Sequence, residues 1–240
     1  MGERRREMGD GRWEGEINVL SPIYYLPSPF SFYICIMFYL INSPWWLKLI
    51  YRQCVWEMPG NTNTVYLSFD DGPHPEITSF VLDMLAKYKA KASFFCIGDN
   101  VRKHPETFHR IIKEGHSIGN HSLHHLNGWK TRDEDYVDDI KKASALIPSK
   151  LYRPPYGKIR FSQIKAVKAM GLQPIMWTLL SGDFDKSISK EKVAENILKN
   201  IRPGAIVVFH DSEKAGEKMK YALPLVLETI SERGWVAEKL

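Results

Sequence analysis

The chain reads as an α/β protein built on a parallel sheet, either open or closed as a barrel. Three observations predict this. From Thr64 onward, short apolar runs alternate with amphipathic helical stretches. Glycine stands just past the helical stretches at Gly115, Gly171 and Gly234, where a left-handed C-cap is wanted. Acids and imidazoles follow the apolar runs directly, and parallel α/β folds place their chemistry at the C-terminal ends of strands.

The elements follow in order. The first strand, Val65 to Phe69, breaks into Asp70-Asp71-Gly72-Pro73, and a helix follows from Glu76 to Tyr88. The second strand, Ala92 to Ile97, carries Phe94-Phe95 and precedes a helix from Pro105 to Glu114 closed by Gly115. A short strand, Ser117 to Gly119, leads to a helix from Thr131 to Leu146, which Thr131 and Glu134 open as a capping box. Leu151 to Arg153 and Gln173 to Trp177 are strands on either side of a helix from Phe161 to Met170. A helix from Lys190 to Asn200 precedes the strictly apolar strand Ala205 to Phe209. Tyr221 to Arg233 and Trp235 to Glu238 complete the chain as helix and strand.

At 240 residues the chain is long enough to bury a full core without disulfide or metal staples. Its 44% hydrophobic and 25% charged residues are those of an ordinary globular protein. The net charge of +5 owes much to Arg4, Arg5, Arg6 and Arg12, and no basic stripe with interleaved aromatics points to nucleic acid. The cysteines, Cys35, Cys54 and Cys96, make neither a disulfide framework nor a Cys-x-x-Cys pair, and Cys96 reads as buried filler.

Residues 1–60 differ from the rest and read as an extension, with a catalytic domain from 61 to 240. No Lys or Arg lies between Arg12 and Lys48, and the stretch from Ile17 to Ile50 is apolar and aromatic but broken by prolines. Its longest clean run, Phe30 to Ile41, is shorter than the roughly 20 residues a spanning helix needs. No alanine precedes Ala86, so no Ala-x-Ala-like signal cleavage site is present. Three readings stand: an uncleaved anchor touching membrane through residues 17–50, an arm packed on the domain, or a start mis-called upstream of Met37. The compartment stays open between cytoplasm and membrane surface. Trp45, Trp46 and Trp56 fit a membrane interface, and more readily the cover of a groove on the domain.

The chemistry concentrates in two segments. Adjacent carboxylates Asp70 and Asp71 at the mouth of a buried strand repel and lose solvent unless a cation or a catalytic role compensates. His121 and His125 are spaced i, i+4, so a helix or tight turn puts both imidazoles on one face. One carboxylate and two imidazoles form a three-ligand set that leaves positions open, as catalytic zinc sites do.

Three further segments complete a pattern: Arg153-Pro154-Pro155-Tyr156-Gly157, Leu180-Ser181-Gly182-Asp183-Phe184-Asp185 and Val207-Val208-Phe209-His210-Asp211. With Ser68-Phe69-Asp70-Asp71-Gly72-Pro73 and His121-Ser122-Leu123-His124-His125, they resemble the five ordered motifs of the polysaccharide deacetylases, carbohydrate esterase family four. The resemblance covers about Thr64 to Leu240 and implies a distorted (β/α)7 barrel. It also implies metal-dependent removal of N-acetyl groups from amino sugars, with peptidoglycan or chitin-like oligomers as leading substrates. Carried over by position, Asp71, His121 and His125 are the metal ligands, Asp70 the general base and His210 the general acid. Arg153 orients Asp70, Asp183 tunes His210, and the Tyr156 N–H joins the oxyanion hole, with Pro155 and Trp177 beside the substrate. Zinc suits the ligand set, with cobalt or nickel as alternatives.

Two motifs depart from the family pattern. Where relatives carry Asp-x-x-Asp-Trp, this chain has Leu180, Asp183 and Phe184, and the family's Leu-x-His is Val208-Phe209-His210. These changes bear on the substrate more than on the reaction. A deformylase or amidase acting on another small amide is therefore a second reading, and a membrane-tethered noncatalytic carbohydrate-binding relative a third. Of the other histidines, His124 is expected to support the ligands or face solvent, and His116 to be a structural hydrogen-bonder. His74 is expected beside the cleft, His104 and His109 on the surface, and Asp211 in a turn or supporting place.

Overall fold

The structure, a computed structural model, describes residues 39–60 and 63–240. Cys35 and the greater part of the apolar stretch 17–50 lie outside the described residues. Eight parallel strands form one sheet in the order β5-β4-β3-β2-β1-β7-β6, with β8 paired to the start of β1. The strands are β1 Thr64–Asp70, β2 Ala92–Cys96, β3 Ser117–Asn120, β4 Leu151–Tyr152, β5 Gln173–Pro174, β6 Leu179–Leu180, β7 Ile206–His210 and β8 Val236–Ala237. The helices are α1 Trp45–Ile50, α2 Ile77–Lys87, α3 Gly98–Lys103, α4 Pro105–Lys113, α5 Asp133–Ser144, α6 Phe161–Ala169, α7 Lys190–Leu198 and α8 Gly216–Glu232.

The central strands are apolar because both of their faces are covered. All five residues of β2 are buried, and Phe69, Phe94 and Phe209 stack across β1, β2 and β7 at 5.2 and 6.0 Å. This layer faces the helices. In α2 the buried Ile77, Thr78, Val81, Leu82 and Leu85 recur at helical spacing, and α8 buries Met219, Leu223, Val226, Leu227 and Ile230 in the same way. The alternate strand positions, Ser68, Asp70 and Phe95 among them, are left for the opposite face.

The expected distorted (β/α)7 barrel is borne out, and the way it closes is particular. The strand expected over 173–177 shortens to β5 at 173–174, which pairs with β4, and an unexpected short strand beyond it, β6 at 179–180, pairs with β7. The stretch 175–178 thus carries the sheet from one edge to the other. Residues 41–58 reinforce this seam: Leu180 N–H donates to Ile41 O at 2.9 Å, Met176 N–H to Val55 O at 2.7 Å and Met58 N–H to Gly204 O at 2.9 Å. Trp56 is 6% exposed and its indole N–H donates to Tyr51 O, so it covers the barrel as expected. Trp45 and Trp46 do not: they are 76% and 47% exposed.

Local signals explain the other departures. Gly115, Gly171 and Gly234 do adopt left-handed φ of 81°, 78° and 64°. The capping box at Thr131 does not form. Thr131 Oγ1 donates instead to Asn127 O, Arg132 is the N-cap, and Asp133, Glu134 and Asp135 complement the helix dipole from the first turn. The last helix starts earlier than expected because Gly216 and Met219 are buried. No helix among the described residues is long and apolar enough to cross a membrane.

Candidate active site

The strand ends of β1, β3, β4 and β7 bring together Asp70, Asp71, His121, His125, Arg153 and His210. Asp70 is the last residue of β1, level with Phe95 of β2 and His210 of β7. At Asp71 the chain turns through a φ of 79°, which breaks strand alternation and lets both carboxylates serve one mouth. Asn100 of α3 holds the turn by donating to Asp71 O at 2.7 Å.

His121 and His125 follow β3 in an irregular loop, so the tight-turn alternative applies and the helical one does not. Ser122 and His125 take φ of 64° and 58°. Asn120 Oδ1 accepts the Ser122 N–H, and the buried Asp139 accepts the N–H groups of Leu123 and His124. His124 packs its ring against Asp139 and supports the loop, and His116 accepts the Ala92 N–H. His121 Nδ1 lies 2.7 Å from Arg153 O. A carbonyl can only accept, so Nδ1 carries the proton and Nε2 presents its lone pair. That Nε2 is 3.6 Å from Asp71 Oδ1, and His125 Nε2 is 3.2 Å from the same oxygen.

These three residues fit a divalent metal. One ligand atom from each of Asp71, His121 and His125 lies within 4.8 Å of the others. Asp71 Oδ1 is buried with no hydrogen-bond partner, an orphaned acceptor that a cation would satisfy. Burial pulls the His121 pKa down to about 4, which leaves the neutral imidazole that a metal requires. Burial works against ionising Asp71, but His125, His210 and His121 outweigh it and hold its carboxyl well below the usual range.

Asp70 is paired rather than free. Its Oδ1 accepts from the fully buried Arg153 at 2.7 Å. Arg153 also donates to Ser68 Oγ, Ile175 O and Met176 O, and its guanidinium lies 3.9 Å from the centre of the Phe95 ring. Burial draws the Arg153 pKa down, and Asp70 opposes that by favouring its charged form. This network fixes one carboxylate oxygen of Asp70 at a known orientation.

Asp183 is fully buried and spends both oxygens on His210: Oδ1 faces Nδ1 and Oδ2 accepts the backbone N–H, each at 2.8 Å. Burial alone would lower the His210 pKa, but Asp183, then Asp71 and Asp70, raise it to about 9. With Nδ1 turned to Asp183, Nε2–H is the proton left to give. Asp185, the other acid of that segment, accepts instead from Tyr39 and Ser187.

Tyr156 takes a φ of 60° in a 3-10 turn, Pro155–Gly157, and its exposed ring stands 4.5 Å from His125. Trp177 presses on this turn, since a Cβ on Gly157 would meet its ring at 2.5 Å. Phe184 sets its ring edge-on to His210 at 5.0 Å, and Tyr39 packs against Phe184 at 5.1 Å. Leu180, in place of the family's first acid, is buried in β6. His74, His104 and Lys103 line a cleft of about 960 Å³ whose walls include none of Asp71, His121 and His125, and His109 is exposed. Cys54 and Cys96 are buried, and burial pushes the Cys54 thiol up to about 11 and Cys96 higher than its ordinary value, so neither is a nucleophile.

Several residues that shape this site carry no signal in a motif. Asp139, Asn100 and Tyr39 are distant in sequence from the groups they support, and only the tertiary fold joins them. Ser68 opens the first motif and was legible there only as part of the strand.

A family model described as "Polysaccharide deacetylase" matches residues 57–175. A peptidoglycan-N-acetylglucosamine deacetylase of Bacillus cereus is 34% identical over 186 residues, 75% of this chain and 87% of the relative. A chitooligosaccharide deacetylase of Azorhizobium caulinodans is 29% identical over 198 residues, 75% of this chain and 94% of the relative. Among solved structures, a peptidoglycan N-acetylglucosamine deacetylase, Bc1960, superposes with a TM-score of 0.73 at 28% identity, over 82% of this chain and 95% of its own. The five motifs, the barrel that brings them to one mouth and these relatives agree, and the chain belongs to the polysaccharide deacetylases, hydrolases of amide bonds.

Proposed function

We propose that this protein removes N-acetyl groups from N-acetylglucosamine units of peptidoglycan or chitin-like oligomers, with zinc held by Asp71, His121 and His125. The observation that carries the proposal is the buried, unpartnered Asp71 Oδ1 between two imidazoles, beside a carboxylate paired with Arg153 and a third imidazole paired with Asp183. The relatives named for peptidoglycan and chitooligosaccharide support the sugar class.

When bound, the metal supplies Lewis-acid polarisation of the acetyl carbonyl and makes the attacking water more acidic. Asp70, oriented by Arg153, takes a proton from that water as it attacks the carbonyl carbon. The Tyr156 N–H is the chain's own donor for the oxyanion that develops. His210, cationic through its pair with Asp183, gives its Nε2 proton to the sugar nitrogen, so the C–N bond breaks and a free amine leaves. Asp183 then stabilises the same imidazole for the next turnover.

Acetate release from N-acetylglucosamine oligomers and from intact peptidoglycan, with chelator and with added zinc, tests this reading. Release from neither, with stoichiometric zinc bound, would favour another small amide. Leu180 and Phe184 in the fourth motif keep that second reading in view. For the extension, the exposed Trp45, Trp46 and Leu49 support contact with a membrane surface, which sedimentation with lipid vesicles would test. Deleting residues 1–36 should leave catalysis intact if that segment only tethers the enzyme.

A further inference from the structure

The turn that carries Asp70 and Asp71 is held by a residue at the end of the neighbouring strand, β7. Asp211 follows His210 at the end of β7 and is 1% exposed. Its Oδ1 accepts the Gly72 N–H at 2.9 Å, and its Oδ2 accepts the Thr78 hydroxyl at 2.5 Å. Its own N–H donates to Asp70 O at 3.0 Å. Thr78, fully buried in the first turn of α2, accepts the His74 N–H at 2.8 Å, so the same hydroxyl ties down the far side of the turn.

Gly72 shows how tightly this brace fits. It is not among the glycines with left-handed φ, so backbone freedom does not require it. A Cβ there would stand 2.1 Å from Asp211 Oδ2 and 2.6 Å from its Cγ and Oδ1. The glycine is needed because the Asp211 carboxylate fills the space.

We propose that Asp211, acting with Thr78, is a positioning residue that fixes the base and the metal ligand of the β1 turn against the acid of β7. Both of its oxygens are spent on the turn and on α2, so neither is left to touch substrate. Its loss frees the Gly72 amide and lets Asp71 drift relative to His121 and His125. Metal affinity and turnover should fall together, with substrate affinity little changed.

The test compares Asp211→Ala, Asp211→Asn, Thr78→Val and Thr78→Ser in the full chain. Zinc affinity is read by competition with a chromogenic chelator, kcat and KM on chitooligosaccharide, and Tm on the same samples. Asp211→Ala should weaken zinc binding about 10–100-fold and lower kcat by a similar factor, the range seen when groups supporting metal ligands are removed. KM should stay within about threefold of wild type by the logic of an interaction made only in the transition state. Asp211→Asn keeps an acceptor for Gly72 and should recover most of the loss, and Thr78→Ser should exceed Thr78→Val in both readouts.

A lowered Tm with zinc affinity and kcat both within about twofold of wild type would overturn the proposal, because it would make the brace merely structural. Should Asp211→Ala fail to fold, the Asn and Thr78 pairs decide in the same way. The kcat arm rests on the proposed substrate, whereas the zinc arm does not. A wild type that binds zinc but releases no acetate would therefore count against the substrate alone and leave the zinc series to judge the brace.

Discussion

The two walls of the active-site mouth are built on opposite plans. On the β7 wall, Asp183 satisfies both oxygens within the chain and His210 is fixed without any ligand. On the β1–β3 wall, Asp71 Oδ1 is buried and unsatisfied, and its neighbours His121 and His125 are held by loop residues in left-handed conformations. In the proposed mechanism the acid is preassembled, whereas the metal side would be complete only with its cation. Asp70 belongs to the first plan although it neighbours the second, because Arg153 orients it in advance.

This contrast orders the mutational effects. Asp70→Asn removes the base without removing a metal ligand, so acetate release should fall about 10²–10⁴-fold while zinc binding persists. His125→Ala strikes the unsatisfied wall. Activity should be lost at stoichiometric zinc and partly return in excess zinc, which a zinc titration of the rate would display. If excess metal restores nothing, His125 serves some other purpose.

Asp183→Asn tests the preassembled wall, and pH gives its signature. A donor must be protonated, so activity should fall as pH rises through the His210 pKa. Asp183 raises that pKa to about 9, and a bound cation near Asp71 should bring it lower. Removing the Asp183 charge should move the alkaline limb to still lower pH while zinc affinity stays unchanged. An unmoved limb would take the acid role away from His210.

Arg153→Met should cost about 3–5 kcal/mol of stability by leaving the buried Asp70 charge unpaired, measured by chemical denaturation. Tyr39→Phe removes only the hydroxyl that meets Asp185 at a half-buried position. Its cost should be about 0.5–1.5 kcal/mol with a small change in rate, the usual worth of one hydrogen bond.

The motif residues could be found in sequence because each catalytic group sits where a buried strand stops, and strand ends carry strong local signals. Asp70, His121, Arg153 and His210 all stand at such ends. The supports were harder to see. Asp139 reaches the His121 loop from α5, and Tyr39 reaches Phe184 from a stretch that composition set apart from the barrel. The break between β5 and β6 has no periodic signature, since each strand is only two residues long. Helix α3, opening on Gly98 and rich in polar residues, shows no amphipathic stripe. The capping box at Thr131 was a valid pattern that lost to a hydrogen bond with Asn127.

The central claim is that Asp70 is the base of a metal-dependent deacetylation. It is tested most directly by measuring acetate release and bound zinc together, in wild type and Asp70→Asn, with and without chelator. The account predicts release by wild type that chelator stops and zinc restores, and no release by Asp70→Asn carrying the same zinc. Release that continues in chelator, or that survives in Asp70→Asn, would contradict it.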